Sequence, residues 1–149
     1  MSRNEELAAV FQEIATVMQY QGENRFKIKA YVDFIDTLAD LDRPVEDMTE
    51  VELEALPGVG RIIREKTRLY FDNGTFNLLD RVRQVDPGIR GLLTAGLMPS
   101  AVRALEQKAS ITSTEALLTA HKADTLSLTG IPTRQRNAIK AFVAARAES

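Results

Sequence analysis

One lysine in the middle of the chain has neighbours that could turn its amine into a nucleophile. Ile62, Lys66 and Tyr70 are four residues apart, so in a helix they form one stripe. The flanking cations are Arg61, Arg64 and Arg68. An amine between apolar neighbours and near like charges loses its proton more readily, and the neutral amine is the form that attacks an aldehyde. Spacing alone nevertheless favours the simpler interpretation of a solvated lysine or a phosphate contact.

A second group of basic and aromatic residues precedes this lysine. Lys27 and Tyr31 are four residues apart and share a helix face, with Arg25 and Lys29 close by. Such a face is suited to a phosphate and a sugar. Helix solubility together with a partly buried tyrosine explains the same pattern equally well.

Metal-dependent chemistry finds little support in the composition. The 149 residues include no cysteine and one histidine, His121, which cannot build a common zinc or dinuclear centre from side chains. Neither the phosphate loop G-x-x-x-x-G-K-[ST] nor the nucleophile elbow G-x-S-x-G occurs. The pattern of carboxylates in the second helix indicates a solvated acidic face, formed by Asp33, Asp36, Asp40 and Asp42.

The element that would position Lys66 is a turn with two glycines. Residues 56–60 are Leu-Pro-Gly-Val-Gly, a basic amphipathic run extends from Arg61 to Phe71, and Asn73-Gly74 closes it, a pattern typical of a helix-hairpin-helix. Gly58 and Gly60 lack a Cβ, so the backbone can turn tightly and approach another surface. The first amides of the next helix have no intrahelical partner and carry the positive end of its dipole. We therefore predict a phosphate contact that is independent of base sequence, with a plain interhelical turn as the alternative.

Apolar residues spaced three and four apart predict helices along nearly the whole chain. The sequence therefore indicates an all-α helical bundle with one well-formed helix-hairpin-helix and two degenerate hairpin elements. The predicted core face of the first helix comprises Leu7, Val10, Phe11, Ile14, Val17 and Met18. The predicted core face of the second helix, which Asn24 caps, comprises Phe26, Ala30, Phe34 and Leu38.

The strongest internal break is Asp86-Pro87-Gly88, which predicts two subdomains, residues 1–85 and 86–149. In the second subdomain, residues 94–100 and 128–133 each form a hairpin-like turn before a helix. Each turn keeps one glycine and replaces the other with methionine or proline, so we expect weakened phosphate binding there. A simple structural turn is an equally good interpretation of both.

The net charge of −2 conceals an asymmetry between the two parts of the chain. Residues 1–55 contain 5 basic and 13 acidic groups, whereas residues 56–149 contain 14 basic and 8 acidic groups. A positive part that begins at the hairpin favours a polyanionic partner and modest, salt-sensitive binding. No apolar run approaches the length of a membrane span, and we expect a cytoplasmic, nucleoid-associated protein.

Three segments together resemble the N-terminal lyase-like and DNA-binding region of the family X (polymerase β-like) DNA polymerases, particularly the bacterial branch. They are residues 22–31 (GENRFKIKAY), residues 56–60 with Glu65-Lys66, and Asn73-Gly74. The later residues 96–101 and 129–132 look like the following DNA-binding subdomain of that family. The resemblance implies a DNA repair module that binds gapped, nicked or abasic duplex DNA without sequence specificity.

The resemblance also implies roles for individual residues. Lys66 matches the lysine that forms a Schiff base in 5′-deoxyribose-phosphate lyase chemistry, and Glu65 or a bound water would take the C2′ proton. The carbonyls of Leu56 and Val59 match those that hold Na⁺ or K⁺ against DNA; no other cofactor is implied. The expected DNA contacts are Lys27, Lys29, Tyr31, Gly58, Val59, Gly60, Arg61, Arg64 and Arg68.

Departures from the family pattern leave three functions open. Ile62 and Leu78 fall where some members carry lysines, and Phe26 replaces a polar residue. The palm with its catalytic aspartates is missing, so we do not expect this chain to polymerise DNA by itself. The alternatives are a DNA-binding module without chemistry, a Schiff-base lyase, and a protein-interaction or scaffold module that uses the acidic first part.

Overall fold

The computed structural model describes residues 1–147, and within that range every regular element is helical, which confirms the predicted all-α fold. The chain divides into two compact units, residues 1–18 with 22–83, and residues 19–21 with the chain from Gln84 onwards. The predicted second subdomain ends at residue 149, and its last two residues lie outside the described part. The α-helices are α1 (Arg3–Gln21), α2 (Arg25–Asp40), α3 (Glu50–Glu54), α4 (Arg61–Asn73), α5 (Asn77–Val82), α6 (Pro87–Thr94), α7 (Pro99–Ala104), α8 (Thr114–Lys122) and α9 (Thr133–Ala147).

The core of the first unit is built around the ring of Phe11 on α1, which is fully buried. Its centroid lies 5.1 Å from the ring of Phe34 in an edge-on arrangement and 5.6 Å from the ring of Tyr31. The ring of Phe76, just before α5, stacks on it at 6.0 Å. These contacts join α1, α2 and the start of α5. The apolar positions predicted for the first helix are confirmed as buried.

The predicted core face of α2 was wrong at Phe26, and Ala30 is only partly buried. Phe26 is 79% exposed, and the buried face consists of Ile28, Tyr31, Phe34 and Leu38. At about 100° per residue, Phe26 lies about 80° around the helix from Phe34, away from this stripe. It also occupies the first turn, where the Asn24 side chain accepts a hydrogen bond from its amide at 2.8 Å.

Local hydrogen bonds define the helices on either side of the hairpin turn. The Thr49 hydroxyl accepts from the amide of Glu52 at 3.2 Å, while the Glu52 carboxylate accepts from the amide of Thr49 at 3.0 Å. This capping box starts α3. At the other end, α4 finishes where the amide of Gly74 donates to the carbonyl of Tyr70 at 2.7 Å, as its sequence predicts.

The second unit buries α7 against α9 through Ala101, Val102, Ile139 and Phe142. Its first helix, α6, begins where the Asp86 carboxylate accepts from the amide of Ile89 at 3.1 Å. The helix expected after residues 94–100 begins as α7 and continues as one π-helical turn, Leu105–Ala109. In this unit the Tyr20 hydroxyl donates to Glu106 at 2.6 Å, and burial raises the pKa of Tyr20 to about 12.

Candidate nucleic-acid interface

The hairpin turn presents bare main chain on one side and is held by a buried side chain on the other. Gly58 has φ +71°, a left-handed conformation that L side chains rarely adopt. A Cβ built at Gly58 or at Gly60 meets no protein atom within 4 Å. Val59 between them is buried and fixes the bend to the first unit. The turn is therefore open to an approaching ligand at both glycines.

The first turn of α4 adds unpaired amides to this opening. Gly60 is the N-cap and has no side chain to satisfy them, and Arg61 and Ile62 are exposed. The amide of Arg64 is the first to bond within the helix, to the carbonyl of Gly60 at 3.1 Å. The amides before it lie at the positive end of the helix dipole. This arrangement suits an anion such as a phosphate.

The carbonyls of the turn already have donors. The carbonyl of Leu56 accepts from the amide of Val59 at 3.3 Å. The carbonyl of Val59 accepts from the Arg64 guanidinium at 3.2 Å. A guanidinium at that carbonyl repels a second cation, so the residues present do not fit the Na⁺ or K⁺ expected between Leu56 and Val59.

Lys66 lies partly buried in the first unit. Its Nζ lies 6.0 Å from the centroid of the Phe76 ring. Burial lowers the pKa of Lys66, and repulsion from Arg81 and Lys27 lowers it further, while Glu65 acts in the opposite direction. The structure thus brings Lys27 and Lys66 together with Arg81, and we call these three residues the basic cluster.

Sequence reasoning missed Arg81. It lies on α5, is exposed, and reaches the cluster only because Phe76 docks the start of α5 against Phe11. No local motif surrounds Arg81, so the excess of basic residues after the hairpin was the only signal available.

Tyr31 lies beneath the basic cluster as part of the core. Its side chain is only 6% exposed and its ring packs on Phe11. Burial raises the pKa of Tyr31, partly offset by Arg81. The residue therefore supports the site from below, and the structure does not present its ring as an open surface for DNA.

Two of the expected DNA contacts are held in surface ion pairs. The Lys29 ammonium lies 2.7 Å from Asp33, and the Arg61 guanidinium lies 2.9 Å from Glu65. Both cations are largely exposed, so these pairs are weak and can open to a phosphate. The pairing also means that Glu65, the expected proton acceptor, is engaged with Arg61.

Arg68 has a role within the protein. Its guanidinium bonds the Glu50 carboxylate at 2.9 Å and the carbonyls of Glu46 and Met48. These bonds tie α4 to the first residue of α3 and to the segment before it. Arg68 thus helps to fix the helix that carries Lys66, and its expected contact with DNA stays a prediction.

Within residues 1–147, no helix is both long and apolar enough to cross a membrane. No group of histidine and carboxylate side chains in the same range is arranged to hold a metal ion.

Comparison with known proteins agrees with the geometry of the first unit. The family model of the helix-hairpin-helix domain matches residues 2–76, half of the chain. No curated protein matches the chain. The matched range contains the hairpin and both lysines of the basic cluster, while Arg81 lies beyond it. Such a domain supports DNA binding without sequence specificity. The chain belongs to the helix-hairpin-helix domain family.

Proposed function

We propose that the first unit binds duplex DNA at gaps, nicks or abasic ends and that Lys66 acts there as a Schiff-base lyase in DNA repair. The observation that carries the proposal is the position of Lys66, which lies partly buried with its Nζ 6.0 Å from the Phe76 ring centroid, in the domain that presents the open hairpin. Burial and the nearby Lys27 and Arg81 lower its pKa, which is consistent with this role. The resemblance to the family X DNA polymerases supports the same assignment.

The hairpin supplies binding without base recognition. The open turn at Gly58 and Gly60 and the free amides of α4 contact the sugar-phosphate backbone, which carries no base information. Lys27 and Arg81 then hold the 5′-phosphate of a deoxyribose near the Lys66 amine. Their positive charges have two effects, because they attract the phosphate and favour the neutral amine.

The chemistry follows from a neutral amine beside an open-chain sugar. The Lys66 nitrogen attacks the C1′ aldehyde of the abasic sugar, and loss of water leaves an iminium. The iminium acidifies the C2′ proton, and transfer of that proton to Glu65 or to a water molecule sends the electron pair into a C1′–C2′ enamine. Conjugate elimination then breaks the C3′–O bond and releases the 3′ phosphate. Water hydrolyses the remaining imine and returns free Lys66.

Borohydride trapping on a duplex carrying a 5′-deoxyribose phosphate tests the proposal. Wild-type protein should form a covalent adduct, and Lys66→Ala should lose it. Lys66→Arg is the sharper variant, because it keeps the positive charge and therefore DNA binding but has no nucleophilic amine. Lys122→Ala, which removes an exposed lysine of α8, should trap like wild type. An adduct that persists undiminished in both Lys66 variants would contradict the assignment.

A DNA-binding module without lyase chemistry is the second candidate. The observation that favours it is the Arg61–Glu65 ion pair, which occupies the carboxylate next to Lys66. This candidate predicts that wild-type protein shifts gapped DNA in anisotropy titrations but forms no adduct. The scaffold function is less well supported, because several acidic residues of the first part pair with this chain's own cations, as Glu46 does with Arg3 at 2.5 Å.

A further inference from the structure

The Arg64 side chain folds back over the beginning of its own helix onto the hairpin turn. It is the fourth residue of α4, and its Nη1 lies 3.2 Å from the carbonyl oxygen of Val59. The residue is partly buried, so the guanidinium is held against the turn. A positive charge therefore lies at the main-chain oxygen nearest to the open glycines.

A carbonyl oxygen that faces a phosphate needs a cation or a donor between them, because two acceptors repel each other. A guanidinium meets this need, since it has five N–H donors in a plane and stays charged at all relevant pH values. One donor of Arg64 is used by Val59. The remaining donors are available to bind phosphate oxygens in the two-pronged manner that arginine favours.

The neighbouring charges leave Arg64 free for this role. A surface cavity of about 630 Å³ beside the hairpin is lined by Glu50, Arg61, Arg64, Glu65, Arg68 and Leu69. Its two carboxylates are each paired with another arginine, Glu65 with Arg61 and Glu50 with Arg68. Among residues 1–147, no carboxylate lies within ion-pair distance of Arg64.

We infer that the Arg64 guanidinium replaces a monovalent metal ion at the hairpin and bridges the Val59 carbonyl to a DNA phosphate. The inference rests on the DNA binding proposed above, but not on lyase chemistry. It makes DNA affinity depend on ionic strength and not on which monovalent cation provides it.

The test is anisotropy titration of a labelled gapped duplex at one ionic strength in NaCl, KCl or tetramethylammonium chloride. Wild-type Kd values should agree within about twofold across the three salts, since only the general counterion effect remains. A wild-type affinity that is several-fold tighter in Na⁺ or K⁺ than in the organic cation would overturn the inference. Absence of binding in every salt would instead contradict the proposed DNA function, so the two failures are distinguishable.

Variants give a second, independent arm. Arg64→Ala should weaken binding about tenfold in the tetramethylammonium salt, as expected for loss of one charge-assisted contact, and should recover part of it in Na⁺ or K⁺. Arg61→Ala is the matched control, because it removes the same charge from the same helix without uncovering the Val59 carbonyl. It should show no preference among the salts. An Arg64→Ala protein that binds as wild type in all three salts would overturn the inference. If this variant does not fold, the comparison of wild-type Kd values across the three salts still tests the inference.

Discussion

At the scale of single residues, the chemistry depends on where the structure places three cations that the sequence leaves far apart. Lys66 is partly buried against Phe76, and Lys27 and Arg81 lower its pKa together with burial. Each effect favours the neutral amine, which is the form that the proposed lyase reaction requires. In that proposal, the charges that bind phosphate are also the charges that activate the nucleophile.

The pH dependence of single-turnover 5′-deoxyribose-phosphate release tests this placement. Because the Lys66 pKa is lowered, the neutral fraction rises at lower pH than for a free lysine, so the rate should increase with a midpoint below pH 10.5, the ordinary lysine value. Arg81→Gln removes one like charge and should move the midpoint upwards. A wild-type midpoint at or above 10.5, or one that Arg81→Gln lowers, would contradict the argument.

Sequence reasoning identified Lys66 and Lys27 but not their arrangement. Helical spacing can place residues of one helix on a common face, as it did for Lys27 and Tyr31. It cannot show that α5 brings Arg81 to the same place, because that depends on Phe76 packing against Phe11. It also could not reveal that Arg68 bonds the start of α3 and the segment before it, since those partners lie 18 to 22 residues away in the chain.

At the scale of elements, the two glycines of the turn between α3 and α4 have different roles. Gly58 supplies the left-handed backbone, whereas Gly60, at φ −79°, has an ordinary conformation and contributes only its missing side chain. The end of α4 was predictable from local signals, because the Gly74 terminus depends on residues within one turn, and the Thr49 capping box that starts α3 is equally local. The buried face of α2 was less predictable, because Phe26 is apolar like a core residue but lies at a position around the helix that points away from the buried stripe.

Substitutions at the two glycines should therefore have different effects on stability and DNA affinity. Gly58→Val forces a β-branched residue into a left-handed conformation and should cost about 1–2 kcal/mol in the free energy of unfolding. It should also weaken binding to all DNA sequences about equally. Gly60→Ala should change stability less and still reduce affinity, because its methyl group occupies the open approach to the main chain. Chemical denaturation and anisotropy measure both effects.

Gly91→Ala provides the control for these two substitutions. It lies inside α6, where a Cβ meets nothing within 4 Å, so the variant should gain about 0.5–1 kcal/mol and bind DNA as wild type. A Gly58→Val protein whose binding falls for one base sequence and not for others would contradict the backbone mode.

At the scale of the whole molecule, charge distribution decides how strongly DNA is held. The chain has a net charge of −2, so attraction comes from a local positive surface. After Lys29 and Arg61 are set aside as ion-paired and Arg68 as structural, the cations that remain beside the site are Lys27, Arg64, Lys66 and Arg81. The all-α class was predictable from apolar spacing, whereas this reduced set follows only from the contacts.

Three cations are assigned to phosphate, Lys27, Arg64 and Arg81, and they set the expected salt dependence. The slope of log K against log salt concentration should be about −3, following roughly −0.9 per neutralised phosphate. Anisotropy titrations of a gapped duplex across a series of NaCl concentrations measure it directly. A slope near zero would rule out backbone binding, and one much steeper would show that the paired cations also open to DNA. Arg64→Ala should reduce the slope by about one unit.

The ring of Phe76 belongs both to the interior and to the site. It stacks on the ring of Phe11, a contact that holds α1 and α5 together. It also lies close to the Lys66 ammonium. Since burial lowers the pKa of Lys66, an opening of α5 that hydrates this amine should raise its pKa again. The proposed lyase reaction therefore requires α5 to stay packed, which links the reactivity of Lys66 to the integrity of the core.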